Sequence, residues 1–153
     1  MSFSSVKYLV FVFLIFLVSC SSHKPMNNSA ASSSSSPASL VGTEWLLTDL
    51  AGTPVVSNSK ASLSFLEAGR AAGNASCNRF TGGVTISGNS IGFGQMASTR
   101  MACVDNAISV QEDRYLKLLG AAKRFELKDN SLLIFVAGSN KPLRFAPQTT
   151  AQP

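Results

Sequence analysis

Two short words near the middle of the chain hold the residues best able to do chemistry: Cys77-Asn78-Arg79-Phe80 and Thr99-Arg100-Met101-Ala102-Cys103. Each sets a sulfur close to an arginine. A thiol pair can close a disulfide, exchange with another disulfide or hold a soft metal ion, and guanidinium groups can bind an anion. Little else in the sequence offers a reaction. The single histidine, His23, lies in a serine-rich stretch, so the segment able to fold has no imidazole for a triad or a proton shuttle. The eight acidic residues are scattered and several sit at turns, which gives no paired-carboxylate site. Gly82-Gly83 and Gly92-Phe93-Gly94 lack a strand-to-helix setting and read as turns or bulges, not phosphate loops. We therefore expect no catalytic residue, no metal and no cofactor.

The third cysteine, Cys20, has a different setting. Lys7 precedes an unbroken apolar run, Tyr8 to Val18, of 11 residues. In a helix such a run rises about 16 Å, roughly half a hydrocarbon core, which is too short to span. Leu17-Val18-Ser19-Cys20 directly after it resembles the lipobox of bacterial lipoproteins. That resemblance implies a signal peptide over residues 1–19, diacylglycerol on the Cys20 sulfur, and acylation of the new amino group. Two or more acyl chains hold a protein stably on a membrane. Ser21 in the next position implies the outer membrane, facing the periplasm, in an envelope that has one. Residues 20–39 form the lipidated cysteine and a tether: Ser21 to Ser39 has nine serines among 19 positions and too little apolar surface to order itself. The folded domain is expected over residues 40–147, with a polar tail at 148–153.

With Cys20 lipidated, two cysteines remain in an oxidising compartment. A Cys77–Cys103 disulfide would close a loop of about 27 residues and stabilise the fold by roughly 3–4 kcal/mol in the chain-entropy model. Two buried free thiols, a redox pair or a metal site are the alternatives. A redox pair ordinarily needs close spacing and a group that lowers a thiol pKa, and here 25 residues intervene. A bridge would bring Arg79 near Arg100. Between residues 51 and 104, Lys60, Arg70, Arg79 and Arg100 face Glu67 alone, so the two arginines are candidate contacts for an anion, a lipid headgroup or a partner. The plainer reading has one bonded to loop carbonyls and the other solvated. Arg114, Lys117, Lys123, Arg124 and Lys128 alternate with Glu112, Asp113, Glu126 and Asp129, which marks a solvated surface and excludes a nucleic-acid stripe.

The elements that must position these residues are short strands broken by turn residues. Trp45 and Leu47 alternate in Thr43–Asp49, as do Leu63 and Phe65 in Ser62–Phe65. Strands follow at Gly73–Asn78, Gly83–Ser87 and Ile91–Phe93, with Gly88-Asn89-Ser90 as a hairpin turn. One helix is expected between Asp105 and Leu119, starting at Asp105 or Asn106, or at an internal capping box, Ser109-Val110-Gln111-Glu112. Gly120 should stop it. Arg124–Lys128, Leu132–Ala137 and Leu143–Phe145 complete five strands, one helix and three strands. Hairpin-sized loops imply antiparallel pairing. A single helix covers only part of such a sheet, so the expected fold class is α+β, about eight short strands curled into a partly open barrel. Phe65, Phe80, Phe93, Phe125, Phe135 and Phe145 would either pack its core or line an apolar cavity.

The two cysteine words, with Gly42-Thr43-Glu44-Trp45 at the start and Gln111–Leu119 in the helix, resemble the META domain family, which includes HslJ-like heat-shock lipoproteins. The resemblance covers Leu40 to Pro147. It implies a curled antiparallel sheet with one helix, some likeness to secretion-pilot lipoproteins, and no established enzymatic activity. Our expectation is a non-enzymatic envelope lipoprotein, held on the membrane by its lipid anchor. It would bind a protein partner, a lipid or another apolar ligand in envelope assembly, secretion or stress tolerance. A membrane-associated hydrolase or redox enzyme, or an inhibitor-like module, is the alternative.

Overall fold

The computed structural model describes residues 40–148. Eight strands run β1 Thr43–Leu50, β2 Ser62–Glu67, β3 Arg70–Asn74, β4 Arg79–Ser87, β5 Ser90–Ser98, β6 Ala122–Lys128, β7 Ser131–Val136 and β8 Leu143–Pro147. One helix, α1 Asn106–Gly120, lies between β5 and β6. Every neighbouring pair is antiparallel, in sequence order, and β8 returns to β1 to close the barrel.

The closed barrel buries one face of every strand. Trp45, Leu47, Leu63, Phe65, Ala71, Phe80, Val84, Ile91, Phe125, Leu132, Ile134, Leu143 and Phe145 are buried in one cluster, as period-2 strands with one face inward require. The barrel interior is therefore filled by aliphatic and aromatic side chains. Of the six phenylalanines that could have lined a cavity, Phe65, Phe80, Phe125 and Phe145 are core. Phe93 is half-buried against them, and the Arg124 guanidinium lies 3.5 Å from the ring centre of Phe135 on the outside.

The gap expected in the sheet is reduced to a seam. Between β5 and β6 only Ser90 and Arg124 are in register, helped by Phe125 N donating to Asn89 O at 2.8 Å. The helix covers the rest. Asp105 caps it, its Oδ1 accepting from Ala107 N at 2.7 Å, so the first of the expected starts is the one used. Tyr115 and Leu119 are fully buried. Tyr115 reaches across the barrel: its ring centre is 6.0 Å from Phe80 of β4, edge-on, and 6.2 Å from Phe145 of β8. Its hydroxyl donates to Ser62 O of β2 at 3.1 Å. One helical side chain thus ties three strands.

Strand bounds differ from expectation where glycines hide the alternation. Gly83 sits at a register shift between β4 and β5, so the Gly82-Gly83 pair, expected as a turn or a bulge, is a bulge, and β5 continues through Gly92 and Gly94 to Ser98. Gly73 is required by crowding: a Cβ there would lie 2.1 Å from Ser62 O and 2.9 Å from the Phe80 ring. β3 begins at Arg70 and ends at Asn74, earlier than expected, because Ser76 takes φ 111° and turns the chain out of the sheet.

Strand directions give the barrel two distinct ends. Trp45 pairs with Pro147 and Gln148 N donates to Glu44 O, so the chain enters and leaves the domain at one end. The connections β1–β2, β3–β4 and β5–α1 all lie at the other.

Candidate functional site

That other end is built around two consecutive polar residues of α1. Gln111 and Glu112 are buried although neither is apolar. Each staples loops together. Gln111 Nε2 donates to Ser59 Oγ at 2.7 Å and Ser76 Oγ at 2.8 Å, and its Oε1 accepts from Val56 N at 2.6 Å. Glu112 Oε2 accepts from Cys77 N at 3.1 Å and Asn78 N at 2.6 Å, while Oε1 accepts from Asn78 Nδ2 at 2.7 Å.

Asn78 carries the network onward. Its side chain is 4% exposed. Its Oδ1 accepts from Thr99 Oγ1 and Met101 N, both at 2.8 Å, and Nδ2 also donates to Met101 O at 3.3 Å. The amide thereby imitates a strand neighbour for the loop that follows β5. No buried side-chain polar atom among the described residues lacks a partner, which is the condition for such a network to stabilise. The Cys77 and Cys103 sulfurs are bonded, with Cα atoms 6.0 Å apart. The disulfide thus joins the two segments that Asn78 already holds.

Arg79 and Arg100 are both exposed. Thr99 N donates to Arg79 O at 3.0 Å, so Arg100 stands one residue beyond the cross-strand partner of Arg79. No salt bridge involves either among the described residues; the ion pairs there are Arg70 with Glu67 and Arg124 with Glu126. Arg79 stands between two open depressions on the outer face, of about 350 and 360 Å³, which share the Arg79–Phe80 step. Around this rim, Met101 is 59% exposed, Val104 fully exposed and Val110 59% exposed. Cys20 lies outside the described residues.

A family model described as "META domain" matches residues 38–150. The chain belongs to the META domain family. Among curated proteins none matches the chain. Three solved structures share the META domain's barrel. An NMR structure of a protein 25% identical covers 72% of this chain and 93% of its own, with a TM-score of 0.60. A second NMR structure, from Burkholderia xenovorans, is 22% identical over 82% of this chain and 97% of its own, TM-score 0.58. A crystal structure of a DUF4847 family protein from Bacteroides vulgatus ATCC 8482 is 13% identical over 70% and 93%, TM-score 0.52. The last two speak for the fold alone.

In the META domain the cysteine words are thus parts of one clamp whose centre is Asn78, with Gln111 and Glu112 as its helical half. Sequence reasoning missed those last two residues. Their signal was phase: 111 and 112 fall on the same helical stripe as Tyr115 and Leu119, so two polar residues stood where apolar ones were due.

The disulfide has a direct check. Alkylation of the unreduced, denatured domain should leave Cys77 and Cys103 unmodified, and mass spectrometry after reduction should find both labelled. Reduction should lower unfolding free energy by about 3 kcal/mol without unfolding the domain, because the Asn78 clamp holds the same segments. Full labelling before reduction would show that the bond is absent.

Proposed function

We propose that this META domain is the non-enzymatic binding module of an envelope lipoprotein, and that it engages a protein partner through the rim around Met101 and Val104. The observation that carries this reading is the pinned loop. Met101 is held on both its amide and its carbonyl by Asn78, and Cys103 is bonded to Cys77, yet the Met101 and Val104 side chains are exposed. Single exposed apolar residues are ordinary. A rigidly held pair is different, because little conformational entropy remains to be lost on binding. Arg79 and Arg100 border the same rim and would favour acidic groups on the partner. The filled interior favours an outer contact over an apolar ligand held inside the barrel.

Chemistry at the site supports a non-enzymatic role. Three hydrogen bonds fix the Glu112 carboxylate, and the sequence has no histidine between 40 and 148 to act with it. The lipoprotein half of the reading rests on Leu17-Val18-Ser19-Cys20. Cys20→Ala should abolish acyl-lipid labelling and impair maturation, and wild-type protein without label would overturn this half. For the rim, a photo-crosslinking residue placed at 101 or 104 in cells should give a discrete protein adduct. One placed at Leu66, exposed at the opposite end, should not. The adduct should disappear when the other rim residue becomes aspartate. Adducts at 66 but not at 101 or 104 would sink the assignment.

A further inference from the structure

We propose that, once reduced, Cys77 and Cys103 form with Glu112 a binding site for one sulfur-seeking divalent ion of the zinc type. The two sulfurs and a Glu112 carboxylate oxygen lie within 4.8 Å of one another, and all three belong to residues tied together by bonds other than the disulfide. Asn78 holds the Met101 backbone that leads to Cys103, and Glu112 accepts from the backbone of Cys77 itself. Opening the S–S bond therefore leaves the sulfur-bearing segments in place.

The spacing suits a tetrahedral ion. With metal–sulfur bonds of about 2.3 Å and metal–oxygen bonds of about 2.0 Å, the sulfurs stand about 3.8 Å apart and each about 3.5 Å from the oxygen. Side-chain rotation at cysteines whose Cα atoms are 6.0 Å apart supplies that separation. The surroundings also suit it. Three N–H donors fix the carboxylate, as outer contacts of metal ligands commonly do. Asn78 Nδ2 points at Cys103 Sγ from 3.8 Å, and α1 begins three residues after Cys103, bringing its positive end close. Glu112 is buried, while Cys77 and Cys103 are half-buried, so an ion would enter from the sulfur side.

The steps balance. An external dithiol gives two electrons and two protons to the Cys77–Cys103 bond, closing its own disulfide as the pair becomes two thiols. The ion then displaces the two thiol protons, and water fills its fourth position.

The test uses the full chain in detergent with Cys20→Ser, so that only the pair offers thiols. After reduction with a phosphine and its removal under argon, Co²⁺ should bind at one per chain. A thiolate-to-cobalt absorption band should appear that unreduced protein lacks and Zn²⁺ abolishes. X-ray absorption of the Zn²⁺ form should count two sulfurs with lighter atoms. Cys103→Ser should lose the band, and Glu112→Gln should bind Co²⁺ at least tenfold more weakly. Failure of the reduced wild type to take up Co²⁺, one ion per two chains, four sulfurs around Zn²⁺, or unchanged affinity in a folded Glu112→Gln would each overturn the proposal. The stoichiometry and the sulfur count decide it even where Glu112→Gln does not fold.

Discussion

Asn78→Ala should lower the stability of the domain by about 4–5 kcal/mol, more than loss of the disulfide does. The side chain is almost wholly buried and serves both loops at once. Truncation leaves Glu112 Oε1 without its donor and Met101 N without its acceptor. An unmet buried neutral group costs about 1–3 kcal/mol, and a charged one more. The carboxylate retains its two backbone donors from Cys77 and Asn78, which keeps the loss below that of a bare buried charge. Urea titration of wild type and variant, followed by Trp45 fluorescence, measures the difference. A shift under about 1 kcal/mol would mean that water replaces the amide and that the clamp is not what holds the rim. Asn78→Asp should also destabilise, because it sets a second carboxylate against Glu112.

Tyr115→Ala should cost about 5 kcal/mol, since loss of a large buried aromatic costs about 3–5 kcal/mol and Ser62 O loses its donor as well. Tyr115→Phe keeps the ring between Phe80 and Phe145 and removes only the hydroxyl, so it should cost about 1 kcal/mol. The two variants also separate at high pH. Burial raises the Tyr115 pKa well above its ordinary 10.0, so the folded domain keeps the phenol proton where the unfolded chain gives it up. The stability this provides is complete below pH 10. It falls as pH rises from there toward the folded pKa, by about 1.4 kcal/mol per pH unit. Wild type should therefore lose stability on that limb faster than Tyr115→Phe. Equal alkaline slopes would show that Tyr115 ionises in the folded state as it does in water.

Much of this barrel was legible in the chain because each hairpin announces itself locally. Asp129 and Asn130 fall between the expected strands Arg124–Lys128 and Leu132–Ala137, and both take positive φ, 49° and 56°, as a tight hairpin demands. Gly88 and the Asp105 cap were legible for the same reason. Closure was not, since it depends on β1 meeting β8 across the length of the domain, and no local pattern encodes that pairing. The site divided along the same line. Cysteine count and spacing pointed to the bridge, while the clamp stayed hidden because its partners come from a loop, a strand end and a helix. Ser109-Val110-Gln111-Glu112 has the pattern of a capping box, and that local reading competed with the true one, in which Asp105 caps the helix and Glu112 turns to Asn78.

The placement of the chain ends bears on how the domain responds to force. Residue 40 joins β1 at one end of the barrel, and the rim lies at the other. A load applied between them runs along the strands. β1 is bonded on both sides, to β2 and to β8, and under such a load its two ladders are strained in parallel, sharing the force. Pulling on the two chain ends against each other does the opposite. The bond from Gln148 N to Glu44 O parts first, and the β1–β8 ladder then opens from Trp45 and Pro147 one bond at a time. The META domain should therefore be mechanically stiff when gripped at residue 40 and the rim, and weak when gripped at its two ends.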